Sequence, residues 1–187
     1  VMAGYLDLEE ATSLAIQDGW LHTGDLGKLD DKGNLTIVGR AKDVIVTHGG
    51  KNVYPDELEE LYGTHAGISE ISVVGLDDGR GSERVAALVR PNYEDLDSDE
   101  EQVELHSQLR EWFRVEGSRV PAHERIQVLR FWDDELPRTA TRKIKRTAVI
   151  EILDRLLKAE DKAHQGEEHD SEWLWLDRII ANLCDYD

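Results

Sequence analysis

Two short apolar runs, Ile71 to Leu76 and Val85 to Val89, constrain the fold of this chain more than any other feature. Each has the length of a strand, and the segment between them, DDGRGSE, has the glycine and aspartate chemistry of a loop. Both read as buried strands, and a third is expected at Ile126-Gln127-Val128-Leu129. Beside them lie helical stripes. Leu105, Leu109, Trp112 and Phe113 fall at i, i+4, i+7 and i+8 and predict a core-facing helix, and Val149, Ile152, Leu153, Leu156 and Leu157 repeat the spacing. The expected fold class is α+β, a short central sheet flanked by helices.

Further elements precede and link these. Lys28-Leu29, the turn-rich DDKGN and Leu35-Thr36-Ile37-Val38 read as a hairpin, with Gly33-Asn34 in the turn. Val44-Ile45-Val46 reads as another short strand. Between them Gly39-Arg40-Ala41-Lys42-Asp43 is short and polar, a natural joint between two packed bodies. Pro55 at a first helical position, with Asp56 and Glu57 in the first turn, predicts a helix from Tyr54 to about Tyr62 that Gly63 ends. Asn92 to Glu104, with seven acids and no base, reads as a solvated connection into the helix that follows.

Composition narrows the functional classes. Of 187 residues 40% are apolar and 33% charged, the balance of a globular protein, and no apolar run approaches the roughly 20 residues of a membrane helix. The lone Cys184 cannot form an internal disulfide, which points to a reducing compartment, with the cytoplasm as the expected location. The opening VMAGYLDLEE has neither a basic flank nor an apolar h-region, and it reads as the middle of a longer chain. Ala159 to Asp187 holds nine acids and two bases, so this tail carries −7 of the net −18. Within it, Trp173, Leu176, Ile179, Ile180 and Leu183 fit one helical face.

Against that charge, Leu136 to Arg146 (LPRTATRKIKR) carries five bases and no acid. Lys143, set among Thr139, Thr141 and Arg142, is suited to meet a phosphate or carboxylate, on a loop that feeds a helix N-terminus. The surrounding Asp and Glu would repel a nucleic acid along its length while leaving a compact anion free to bind, so no nucleic-acid partner is expected. Cys184 has no partners at metal-ligand spacing, and no metal site is expected.

Three separated segments match one family. They are Gly19-Trp20-Leu21-His22-Thr23-Gly24-Asp25-Leu26-Gly27, then Gly39-Arg40-Ala41-Lys42-Asp43 with Gly49-Gly50-Lys51-Asn52-Val53-Tyr54-Pro55-Asp56-Glu57-Leu58-Glu59, then Pro137-Arg138-Thr139 through Lys143. In this order and spacing the chain resembles the adenylate-forming (AMP-binding) enzymes, specifically the acyl-CoA synthetases, from Val1 to about Lys158. The double glycine followed by KNVYP is most similar to the long-chain fatty acyl group of that family.

The resemblance implies a two-step ligase reaction: a carboxylate attacks the α-phosphate of ATP, giving an acyl-adenylate and pyrophosphate, and a thiol then displaces AMP. It places Asp25 and Arg40 at the ribose, a role suited to an acceptor-only carboxylate and a planar five-donor guanidinium. Lys143 would be catalytic, between the acyl carboxylate and the α-phosphate. Lys42 would be the hinge about which the small domain rotates. Thr47-His48-Gly49-Gly50 would then face the pantetheine thiol, Gly49 and Gly50 lining its tunnel. The residues themselves leave other readings open: a turn-stabilising Asp25, an ion-paired Arg40, and two glycines in a strand-to-helix turn. The family commonly has glycine directly before the lysine, where this chain has Arg142, which either stiffens the loop or adds a second cation at the phosphates.

The implied domain map is 1–41, the end of the large AMP-binding domain with its hairpin; 42–158, the mobile C-terminal domain; and 159–187, an acidic linker and amphipathic helix that could open a further domain. The implied partners are the chain's own N-terminal domain, a fatty acid, ATP and CoA, or the phosphopantetheine of a carrier domain that Trp173 to Leu183 weakly resembles. Mg2+ would be bound mainly through ATP and the N-terminal domain. Residues 1–187 alone are expected to be inactive. The alternative function is a carrier-loading or non-catalytic binding module that keeps the fold.

Overall fold

The computed structural model describes residues 2–94, 96 and 98–164. The helix expected from Trp173 to Leu183, the carrier-domain reading attached to it, and Cys184 lie outside these residues. No described helix is long and apolar enough to cross a membrane.

The chain opens with α1 (Glu9–Ala15) and a two-residue pairing of β1 (Ile16–Gln17) with β2 (Trp20–Leu21), neither anticipated from sequence. A hairpin of β3 (Asp25–Leu29) and β4 (Leu35–Arg40) follows. Its turn is held by Asp30, whose carboxylate accepts from the Lys32 and Asn34 amides at 2.9 and 2.7 Å. A short 3-10 turn (Ala41–Asp43) leads to a second hairpin, β5 (Ile45–Thr47) and β6 (Lys51–Val53), and then to α2 (Pro55–Tyr62).

The centre is a three-stranded sheet in the order β7-β8-β9, with β7 (Ile68–Asp77), β8 (Glu83–Pro91) and β9 (Val128–Phe131). β7 and β8 are antiparallel, joined by a turn in which Asp78 accepts from the amides of Arg80 and Ser82. β9 runs parallel to β8, so a crossover must join them, and α3 (Asp99–Gly117) lies in it. The first turn of α3 is fixed by a capping box: the Ser98 hydroxyl accepts from the Glu101 amide, and the Glu101 carboxylate accepts from the Ser98 amide. Of the acids expected in a solvated connection, Asp99, Glu100, Glu101 and Glu104 instead lie in the first turns of this helix.

Val85 to Val89 are fully buried, and alternation along β8 divides the core in two. Val85, Ala87 and Val89 pack with Leu58 and Tyr62 of α2, Leu105, Leu109 and Phe113 of α3, and Ile45 and Val53 of the second hairpin. Ala86 and Leu88 pack with Leu136 and with Val149, Ile152, Leu153 and Leu156 of α4 (Arg146–His164) on the other face. This is the α+β arrangement expected, helices on both sides of a short sheet. Trp112 sits at the rim of its core, not inside it, because its indole N–H donates to the Tyr62 carbonyl at 3.2 Å. The third strand lies two residues beyond its expected place. The Gln127 amide reaches Val85 O, but the parallel ladder runs from Val128 to Phe131, and burial of Phe131 in the first core sets that register.

Candidate functional site

The β3–β4 register makes Asp25 and Arg40 direct cross-strand partners. Arg40 Nε lies 3.3 Å from Asp25 Oδ1, both side chains partly open to solvent. The Asp25 amide donates to Thr23 Oγ1 at 3.1 Å, and the Ala41 amide to Gly24 O at 2.8 Å, so the ends of both strands are tied together. One ion pair leaves lone pairs on the Asp25 carboxylate free to accept further hydroxyl donors.

Lys143 sits on a tight turn between β9 and α4. The stalk is a single antiparallel bridge between Arg138 and Ile144. Thr139 N donates to Lys143 O at 2.8 Å, Arg142 N to Thr139 O at 2.9 Å, and Lys143 N to Thr139 Oγ1 at 3.2 Å. Arg142 takes a left-handed backbone, φ 63°, and its carbonyl accepts from Arg138 Nη1 at 2.8 Å. Buried Leu136 anchors the other end, its amide donating to Glu70 Oε2 at 2.8 Å. Burial of Glu70 would raise its pKa, but the Leu136 amide and the Arg138 guanidinium outweigh it and hold the carboxyl below its usual value.

The basic island is thus not uniformly available. Arg138 pairs with Glu70, and Arg146 pairs with Asp43, Asp56 and Glu59. Arg142, Lys143 and Lys145 remain exposed, and among the described residues none of the three makes an ion pair. No hydrogen bond or ion pair among the described residues links Lys143 to Asp25 or Arg40.

Lys42 is exposed in the 3-10 turn that joins β4 to β5. Gly49 and Gly50 lie in the turn between β5 and β6, so they connect strand to strand and not strand to helix. Their φ values, 89° and 70°, are those a glycine adopts without strain, and a Cβ on either would meet nothing within 4 Å. Backbone sign, not crowding, explains glycine here. The Gly50 amide donates to Thr47 O at 3.0 Å, and the Val46 amide to Glu83 Oε2 at 2.8 Å, fastening the hairpin to the sheet. His48 is exposed on the same turn.

Two groupings escaped sequence reading because their members lie far apart in the chain. One is the set of carboxylates around Arg146. The other joins Tyr93, His106 and Asp133: Tyr93 Oη lies 2.6 Å from His106 Nε2 and donates to Asp133 Oδ1 at 3.0 Å. The His106 ring stacks on Phe131 with centroids 4.3 Å apart. Burial, and secondarily the Arg110 charge, lower the His106 pKa against the pull of Asp133. Among the described residues no group of three His, Cys, Asp or Glu side chains could hold a metal ion.

Residues 57–143 match the AMP-binding enzyme C-terminal domain. A 2-succinylbenzoate--CoA ligase from Bacillus cereus (strain Q1) is 35% identical over 156 residues, covering 83% of this chain and 30% of that protein. Among solved structures, the O-succinylbenzoate coenzyme A synthetase of Bacillus subtilis, in complex with ATP and magnesium ion, superposes with a TM-score of 0.62 at 30% identity, over 79% of this chain and 28% of the other. ATP-bound MatB from Rhodopseudomonas palustris gives 0.63 at 29% identity, over 81% and 28%. The chain therefore spans less than a third of the length of the relatives it matches.

Proposed function

We propose that this chain is the C-terminal portion of an ATP-dependent, AMP-forming acid–thiol ligase, a reading supported by the match of residues 57–143 to the AMP-binding enzyme C-terminal domain and by the CoA ligases the chain is similar to. In the first half-reaction an acid's carboxylate oxygen bonds to the α-phosphorus of ATP, the α–β phosphoanhydride bond breaks, and pyrophosphate leaves. In the second, a pantetheine sulfur bonds to the acyl carbon, the acyl–phosphate C–O bond breaks, AMP leaves, and the thiol proton passes to solvent or base.

The observation that carries this reading is the state of Lys143. Its ammonium is exposed on a hydrogen-bonded turn while Arg138 and Arg146 on either side are committed to carboxylates. A cation held in a fixed place can offset the charge of two anions brought together. The Asp25–Arg40 pair supports a ribose role, since the carboxylate keeps acceptor capacity for hydroxyls and the guanidinium keeps donors. Lys42 is proposed as the hinge and the Gly49-Gly50 turn as the tunnel for the thiol arm. Burial supports a domain division at 41/42: among the described residues, Val38 and Gly39 are the only buried ones before it. Mg2+, if carried with ATP, would screen phosphate charge, and its ligands are assigned to the N-terminal domain.

The acyl group is proposed to be a long-chain fatty acid on the strength of Gly49-Gly50-Lys51-Asn52-Val53-Tyr54-Pro55. Two of the three relatives named above are 2-succinylbenzoate ligases, so both acids belong in the test. The full-length protein is given ATP and a panel of acids, pyrophosphate release is followed, and the adenylate is trapped with hydroxylamine. Lys143→Ala is expected to reduce release by about 100 to 1,000-fold, while thioester formation from supplied acyl-adenylate is spared. Lys42→Pro is expected to do the reverse, because proline fixes φ at the joint. No release from the intact protein across the panel would leave the carrier-loading or binding module as the better account.

A further inference from the structure

We infer that Arg146 is the positioning residue that fixes the Lys143 turn and, through Asp43, bounds the pivot at Lys42, an inference that rests on the roles proposed for those two lysines. Arg146 is the first residue of α4 and lies three residues beyond Lys143. Its guanidinium reaches back to three other elements. Nη1 donates to Glu59 Oε1 of α2 at 2.8 Å and to the Val73 carbonyl of β7 at 2.6 Å. Nη2 donates to Glu59 Oε2 at 3.1 Å and to Asp56 Oδ1. Nε stands 3.7 Å from Asp43 Oδ2, an ion pair too long for a hydrogen bond. Only a planar multi-donor head can meet acceptors spread over this angle, so lysine is not its equivalent.

Two mechanical consequences follow. The Lys143 turn has one foot held by Arg138 and Leu136 on Glu70, and the other held by Arg146. Only Ile144 and Lys145 separate that second foot from the lysine, and the Lys145 amide is itself tied to Pro137 O at 2.7 Å. On the hinge side, Ala41 is bonded to Gly24 and Arg40 to Asp25, whereas Asp43 is held by Arg146. Lys42 is the one residue between these anchors, and it is exposed. Rotation is thereby confined to φ and ψ of Lys42 and the adjoining ψ of Ala41 and φ of Asp43, since the peptide bonds between them are planar. Three carboxylates share the one guanidinium, so without it Asp43, Asp56 and Glu59 repel and part, releasing both the hinge boundary and the turn.

Hydrogen exchange on this chain tests the clamp without any need for activity. Arg146→Gln should speed exchange of the amides of residues 43–45 and 139–145 about tenfold, leaving β8 unchanged, and Asp43→Asn should do so at 43–45 alone. Unchanged protection of both segments in Arg146→Gln overturns the inference. Should that variant fail to fold, unchanged protection of 43–45 in Asp43→Asn overturns it. In the full-length protein, Arg146→Gln should lower kcat for adenylation by about 100-fold with KM for ATP within about twofold, and Arg146→Lys should recover part of it. The core variant Leu109→Ala is the control, expected to lower Tm without lowering kcat. A kcat for Arg146→Gln that matches this control overturns the positioning role. Absence of pyrophosphate release in the unsubstituted protein would sink the ligase reading instead, and the exchange result would still decide the clamp.

Discussion

Arg142 shows what a single backbone angle can decide. At φ 63° an L-residue is strained by about 1 to 2 kcal/mol, and glycine would relieve that strain while costing about 0.5 to 1 kcal/mol in unfolded-chain entropy. Arg142→Gly is therefore expected to leave stability unchanged or raise it by up to about 1.5 kcal/mol, read as the urea midpoint at constant m. A loss of more than about 1 kcal/mol would mean that the arginine side chain contributes packing that outweighs the strain. The departure from glycine noted in the sequence is thus a substitution at a position whose conformation favours glycine. That could not be read from the neighbouring residues, since φ here is imposed by the bonds of Thr139 to Lys143 and Arg142. Likewise the pairing of Asp25 with Arg40 was invisible at the residue level. Fifteen positions separate them, and only the hairpin register makes them partners.

At the scale of elements, α3 is joined to β9 by polar as well as apolar contacts. His106 of α3 stacks on Phe131 of β9 and meets the Tyr93 hydroxyl, which in turn donates to Asp133. With that donation made, the network assigns the Nε2 proton to a bond with Tyr93 Oη, so a second proton would add at Nδ1. The groups facing the ring are Tyr93 and Asp133 from the connections and Arg110 from its own helix. Its folded pKa is lowered from 6.5, first by desolvation. Stability from the neutral ring is therefore full above pH 6.5, and it is lost as pH falls from there toward the lower folded value, because the unfolded chain takes the proton first. Between pH 7 and 5, His106→Gln should show a smaller decline in urea midpoint than the unsubstituted chain. Equal declines would show that the ring does not couple to folding. The stripe of α3 was legible in sequence, and Trp112 faces the core with it but only at the rim, because periodicity gives a face and not its depth.

Across the whole molecule, the cores lie entirely after the 3-10 turn, from Ile45 to Leu156. The first hairpin touches α2 through the Lys28–Glu57 ion pair, and Val38 is buried, while Leu29, Leu35 and Ile37 are 72%, 62% and 59% exposed on it. Surface ion pairs contribute about 0 to 1 kcal/mol, so deleting residues 1–40 is expected to lower stability by no more than about 2 kcal/mol, with cooperative unfolding retained. Loss of a cooperative transition would show instead that the hairpin is integral to the small domain. Local pattern was enough to determine the two central strands, the two long helices and the first hairpin, because apolar spacing and turn chemistry act over a few residues and survive any tertiary arrangement. It also located the basic turn before α4. Tertiary structure alone decided which of its five bases stay free: Glu70, Asp43, Asp56 and Glu59 come from far along the chain and take Arg138 and Arg146. Ion pairs between distant residues have no sequence period, and only packing of β7, α2 and α4 brings these charges within reach.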